Sequence, residues 1–246
     1  MAFTLPSLLG LGLVLGVKHA LDVDHLAAVS TLATERRGLL SASLVGAWWG
    51  VGHTLALLAA GVAVIGLRLE ISVRTARLLE LGVAVMLIGL GVQALWTLGR
   101  RLRRGQRVHV HVHQHGPRLH LHAHAHAPDD VPHERPAVPQ HHGIAQGARP
   151  LLVGMMHGLA GSASLMLFVL STIPSPALGF AYLGVFGFGS LGGMVLMSAL
   201  VSVPAQLTAQ RFVRTHLAVR GAAGLASIAC GVLMVVDFSR TAAGLL

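Results

Sequence analysis

Six long apolar stretches, at about 5–32, 40–67, 78–98, 150–173, 177–203 and 217–238, each reach the roughly 20 residues that a membrane-spanning helix needs. Between the third and fourth the pattern breaks into a polar, arginine- and histidine-rich segment. The chain is therefore expected to be an all-α polytopic membrane protein with six transmembrane helices. It divides into a first membrane half at 1–99, a loop at 100–149 and a second membrane half at 150–246. Three helices per half is an odd number, so the second half must enter the bilayer upside down relative to the first. The two halves also echo each other. Gly16-x-x-His19-Ala20-Leu21 recurs as Gly154-x-x-His157-Gly158-Leu159, and Gly50-x-Gly52-His53 as Gly187-x-Gly189-Ser190, at offsets of 138 and 137 residues. Inverted repeats of this kind place a substrate site between the halves. Small residues four apart (Gly12 and Gly16; Gly154, Gly158 and Ser162; Gly189 and Gly193) let helix backbones approach closely.

Composition agrees with this pattern. Of 246 residues, 54% are hydrophobic and only 11% charged, against about 25% charged in soluble domains. The formal charge of +9 does not indicate a nucleic-acid partner, because the arginines sit in loops flanking apolar helices. Thirteen of the Lys and Arg residues that flank the helices fall on one side and four on the other, which makes the thirteen-residue side cytoplasmic. The central loop is then cytosolic, and both termini face outward. No cleavable signal peptide is expected, since the first apolar stretch lacks a basic leader and carries polar residues of its own. The one cysteine, Cys230, leaves neither a disulfide nor a thiolate cluster, and reads as a small core-facing residue.

The first apolar stretch contains Lys18, His19, Asp22, Asp24 and His25. A charged group at the bilayer centre costs about 2.5–3.5 kcal/mol on insertion scales, and intramembrane ionisable groups are usually functional. Imidazole with carboxylate suits a divalent transition metal. On a straight helix at about 100° per residue, His19, Asp22 and His25 share a face roughly 120° wide, and Asp24 points about 100° away from His25. Local unwinding would bring Asp24 in. Lys18 stands at ion-pair spacing from Asp22, so the competing reading for these two is a buried pair that only locks helices together.

His53 near the middle of the second helix and His157 in the fourth join the candidate set. Ser162 and Ser164 follow in the same polar run and would line a path. Met155 and Met156 read as packing, and His216 as interfacial. The candidate metal site is thus His19, Asp22, Asp24, His25, His53 and His157. Eleven of the sixteen histidines lie in 100–149. Two alternating tracts, His109, His111, His113 and His115, then His120, His122, His124 and His126, form an auxiliary metal-binding loop. Alternation would put each tract on one face of an extended strand. The composition, which cannot bury a core, predicts disorder without metal. Neutral imidazoles near pH 7 ligate nickel, cobalt, copper or zinc, for buffering, delivery or gating.

His19-x4-Asp24-His25, within Lys18-His-Ala-Leu-Asp-Val-Asp-His25, resembles the signature of the nickel/cobalt permease family (NiCoT, within the NicO group). Trp49-Gly-Val-Gly-His53-Thr54 is similar to that family's second motif. Gly154 to Ser164 is similar to the His-Gly-Leu-Ala-Gly-Ser pattern of its shorter members. The resemblance covers all six stretches and is nearest to short urease-associated nickel transporters, while the histidine-rich loop is similar to the efflux branch. It implies Ni2+, and Co2+ as a second cargo, moved across a bacterial or archaeal plasma membrane, uptake being favoured over efflux. It also implies His19, Asp24 and His25 as selectivity and binding residues with His53 assisting, and a cytosolic nickel chaperone or urease maturation proteins as partners. The acidic motifs of longer members are missing from the second half, and Val23 stands where alanine is usual. No cofactor or enzymatic activity is expected. A membrane metalloenzyme would need a general base and a substrate cleft, and His-Glu-x-x-His does not occur. A haem protein with paired transmembrane histidines fits poorly with the adjacent aspartates.

Overall fold

The computed structural model describes residues 5–34, 36, 38–69, 72–103, 107–115, 118–126, 145–173, 175–211 and 213–243. Seven helices follow in order: α1 (Leu5–His19), α2 (Val23–Ala33), α3 (Leu39–Gly61), α4 (Val73–Arg103), α5 (Ala145–Thr172), α6 (Pro176–Arg211) and α7 (Val213–Ala243). A π-helical turn, Val62–Gly66, extends α3. Apart from a two-stranded ribbon in the connecting segment, every described element is helical.

Among the described residues, four helices are long and apolar enough to cross a bilayer: Leu39–Gly66, Val73–Arg100, Pro176–Pro204 and Leu217–Thr241. The pair α1 and α2 makes a fifth span if counted as one. The expected continuous first helix at 5–32 is corrected here, because the chain bends by 57° between α1 and α2. The cause is local. Leu21 N–H donates to the Lys18 carbonyl at 2.9 Å and Asp22 N–H to the His19 carbonyl at 3.1 Å, which tightens and ends α1. Asp22 then adopts an extended conformation (φ −61°, ψ 147°) at the N-cap of α2. From there the α-helical pattern restarts, with Leu26 N–H on the Asp22 carbonyl at 3.0 Å.

Helix α1 lies along α6, α3 along both α5 and α6, and α4 along α7, while α2 rests on α6 and α7. Lipid supplies no hydrophobic drive for helix association, so close packing must do it, and the small residues mark where it happens. A Cβ on Gly16 would collide with the Phe186 carbonyl of α6, and one on Gly154 with the Trp49 carbonyl of α3. Likewise a Cβ on Gly52 would meet the Leu151 carbonyl of α5, and one on Gly189 the Leu13 carbonyl of α1. Each contact has a counterpart 137 or 138 positions away. The main buried cluster joins Ala28, Val29 and Leu32 of α2 to Trp49, Leu87 and Met194. Large apolar side chains such as Leu40, Val73, Phe188 and Leu233 stay on the outside, as a lipid-facing surface requires.

Two strands are described within the histidine-rich segment. Strand β1 (Arg107–His115) pairs antiparallel with β2 (Arg118–His126), with His109 opposite His124, His111 opposite His122 and His113 opposite His120. His133, His141 and His142 lie outside the described residues.

Candidate metal centre

The α1–α2 break sets the geometry. His19 is the last residue of α1, Asp22 caps α2, and Asp24 and His25 occupy its first turn. Carboxylate in that turn is favoured by the positive end of the α2 dipole, while the carbonyl end of α1 faces the same region and favours a cation. His53 projects from the middle of α3 and His157 from α5. All three of His25, His53 and His157 are almost completely buried, at 2%, 1% and 2% exposure.

Two groups of ligating atoms result. One nitrogen each of His19, His25 and His53 lie within 4.8 Å of one another, and so do ligand atoms of Asp24, His25 and His157. The rings are closely packed: His25 is 4.5 Å, centroid to centroid, from both His19 and His157, and His53 is 5.2 Å from His19. Asp22 belongs to neither group. Its side chain is half exposed and accepts a hydrogen bond from His19 Nδ1 at 2.8 Å. The straight-helix face of His19, Asp22 and His25 is therefore overturned: unwinding turns Asp24 inward and leaves Asp22 behind the His19 ring. Among the described residues Asp22 pairs with His19 and not with Lys18.

The carboxylates fix which nitrogen of each ring is free. An ionised carboxylate only accepts, so the ring atom facing it must carry the proton. His19 donates Nδ1–H to Asp22, and His25 donates Nδ1–H to Asp24 Oδ1 at 3.1 Å. Both rings then present an unprotonated Nε2. Among the described residues, the buried His25 Nε2 and both nitrogens of His53 have no hydrogen-bond partner. Carboxylate-backed imidazoles whose other nitrogen is free are the usual preparation for a metal ligand. Asp24 also receives the backbone N–H of His25 at 2.9 Å and His157 Nε2–H at 3.1 Å. This one carboxylate thus organises two of the four rings.

Sequence reasoning placed Trp49 in the second motif but gave it no role at the centre. Its indole stacks on His25 (5.5 Å, 13° between planes) and meets His157 edge-on at 5.6 Å. Phe186 lies 5.5 Å from His19. The signal was present in the echo between halves: Phe186 stands 137 positions after Trp49, as Ser190 does after His53. Ser190 Oγ–H donates to the Gly16 carbonyl at 3.1 Å. It holds α6 against α1 beside the site and carries no imidazole. The side chains of Ser162, Ser164, His216 and the eight tract histidines lie outside the described residues.

The Urease accessory protein UreH of Bacillus sp. (strain TB-90) is 35% identical over 237 residues, covering 96% of this chain and 94% of that protein. The chain belongs to the UreH family. No protein-family model matches it, and no solved structure does. A UreH relationship spanning nearly the whole of both chains takes in both sets of helices and the centre between them. Together with the apolar helices it makes this a multi-pass membrane protein.

Proposed function

We propose that this protein is a nickel permease of the plasma membrane, carrying Ni2+ and, as a second cargo, Co2+ through the His/Asp centre. The observation that carries the reading is the trio of imidazole nitrogens from His19, His25 and His53 within 4.8 Å, gathered at a break in a helix of a multi-pass protein. Imidazole suits nickel and cobalt and does not suit magnesium or calcium. The relative's name, a urease accessory protein, points to nickel, the metal of the urease system. The signature at His19 to His25 supports placing the chain with the NiCoT group. His19, His25 and His53 bind the ion, Asp22 and Asp24 orient the rings, and His157 completes the shell.

The reading includes six spans in two inverted halves, 1–99 and 150–246. Reciprocal glycine contacts support it: Gly16 on Phe186 mirrors Gly154 on Trp49, and Gly52 on Leu151 mirrors Gly189 on Leu13. The loop at 100–149 is cytosolic, with both termini outside, and its histidines collect the ion on the cytosolic side. Delivery from there to a nickel chaperone or urease maturation proteins makes uptake the favoured direction. Efflux through the same centre is the second reading, because a cytosolic histidine loop serves collection for export equally well.

The deciding experiment measures nickel in cells expressing the wild type, His25→Ala or an empty vector, in medium with trace nickel. Nickel should rise several-fold with the wild type and return to the vector level in His25→Ala. Lower nickel with raised nickel resistance would make the protein an exporter. Three equal values would refute nickel transport.

A further inference from the structure

We propose that the centre holds its ion at two successive positions sharing the His25 ring. The first is formed by His19 Nε2, His25 Nε2 and His53, and the second by Asp24, His25 Nδ1 and His157. The inference rests on the transport reading above and divides its single shell into two.

Two compact groups exist, and His25 is their common member. Its ring centroid lies 4.5 Å from that of His19 and 4.5 Å from that of His157. Trp49, stacked at 13° to the same ring, fixes its plane. Its Nδ1 is engaged by Asp24 of the second group, which leaves Nε2 for the first. The two positions are in different states. The first is open, since the buried His25 Nε2 and both His53 nitrogens have no hydrogen-bond partner among the described residues. The second is closed by hydrogen bonds to Asp24 from His25 Nδ1–H and His157 Nε2–H, each 3.1 Å long.

For the ion to enter the second position, both hydrogen bonds must give way to metal bonds. The His25 proton then moves from Nδ1 to Nε2, and the His157 proton from Nε2 to its buried Nδ1, which has no hydrogen-bond partner among the described residues. Each ring changes tautomer and stays neutral, so no proton is gained or lost. A protonated His25 Nε2 no longer ligates in the first position. Occupancy is thus exclusive, and the ion passes across one imidazole instead of resting in one cage. A transported ion must be bound well enough to enter and weakly enough to leave, and two sparse positions meet that requirement better than one full shell.

The test uses the full-length chain in lipid nanodiscs, with the eleven histidines of 100–149 changed to asparagine. The probe is Co2+, whose visible absorption reports its ligand set. This chain should bind one Co2+. His53→Gln and His157→Gln should each still bind one, within about tenfold in Kd but with different absorption bands, because each keeps one trio. Their double variant should not bind. In the otherwise native chain, each single variant should lower cellular nickel accumulation at least tenfold. Loss of Co2+ binding in either single variant while it elutes as a folded, monodisperse species would show one shell and overturn the proposal. Two ions bound at once would overturn the exclusive hand-over, and wild-type accumulation by His157→Gln would remove the second position. His53→Ala and His157→Ala repeat the test should either glutamine variant fail to fold. The two readings fail separately: wild-type cells that move no nickel overturn transport, whereas the binding pattern alone decides the number of positions.

Discussion

Asp24 concentrates the centre's polar chemistry in one side chain, accepting from its neighbour's backbone, from His25 and from His157. Removing its charge should therefore act through the rings as well as on the second position that it helps to form. In Asp24→Asn the amide can donate as well as accept, so the His25 tautomer is no longer dictated and Nε2 loses its assured lone pair. Supporting residues of this kind typically change metal affinity by about 10–100-fold. Nickel accumulation by Asp24→Asn should fall within that range at unchanged protein level, measured with a radioactive tracer. Trp49 acts by shape. Trp49→Phe keeps an aromatic face on His25 and should retain most transport. Trp49→Ala leaves a cavity costing roughly 3–5 kcal/mol, seen as an earlier thermal transition in detergent and as lost uptake. The side chains that gather at the candidate centre were legible in the sequence because buried histidine and aspartate are so costly in a membrane. Their orientations were not. Assigning Asp22 to the ligand face and Asp24 away from it assumed a regular helix, and a three-residue break reverses the two.

Elements explain why that break was hard to read. The stretch from Ala20 to Asp22 contains no proline or glycine to announce an interruption. The restarted helix leaves the His25 N–H free for the Asp24 carboxylate, which also accepts from the His25 and His157 rings; in a continuous helix that N–H would be bonded to the Leu21 carbonyl. The glycines, by contrast, were legible as close-packing positions, and the structure separates those that matter from those that do not. A Cβ at Gly16 would strike the Phe186 carbonyl and the Ser190 amide, whereas Gly10, on the same helix, has nothing within 4 Å. Overpacking against side chains typically costs about 1–3 kcal/mol, and a collision with backbone should exceed that. Gly16→Ala should thus abolish monodisperse protein on size-exclusion chromatography. Gly10→Ala should leave the yield unchanged or raise it, since alanine is favoured over glycine in a helix interior by about 0.5–1 kcal/mol.

The whole molecule joins these observations to a direction in the membrane. The matching glycine contacts support one packing scheme for both halves, and the three spans per half that we propose would turn one half upside down relative to the other. The orientation we propose follows from the bias of thirteen basic residues against four, which would put the central loop in the cytosol. Both claims concern the same loops and can be tested together. In a Cys230→Ser background, which removes the native thiol, Ser72→Cys reports on the α3–α4 connection and Gln106→Cys on the segment before β1. A membrane-impermeant maleimide applied to intact cells should label Ser72→Cys and should reach Gln106→Cys only after permeabilisation. The opposite pattern would invert the molecule and put the histidine tracts outside, where they would meet nickel before the membrane centre does. Labelling of both positions in intact cells would mean an even number of spans between them, which a single α4 crossing cannot provide. The expected result places the tracts on the cytosolic side of the His19, His25 and His53 trio, so that an imported ion meets the buried rings first and the loop second. That order makes the loop a receiver, and replacing its histidines by asparagine should slow delivery to a cytosolic nickel enzyme more than it slows initial tracer uptake.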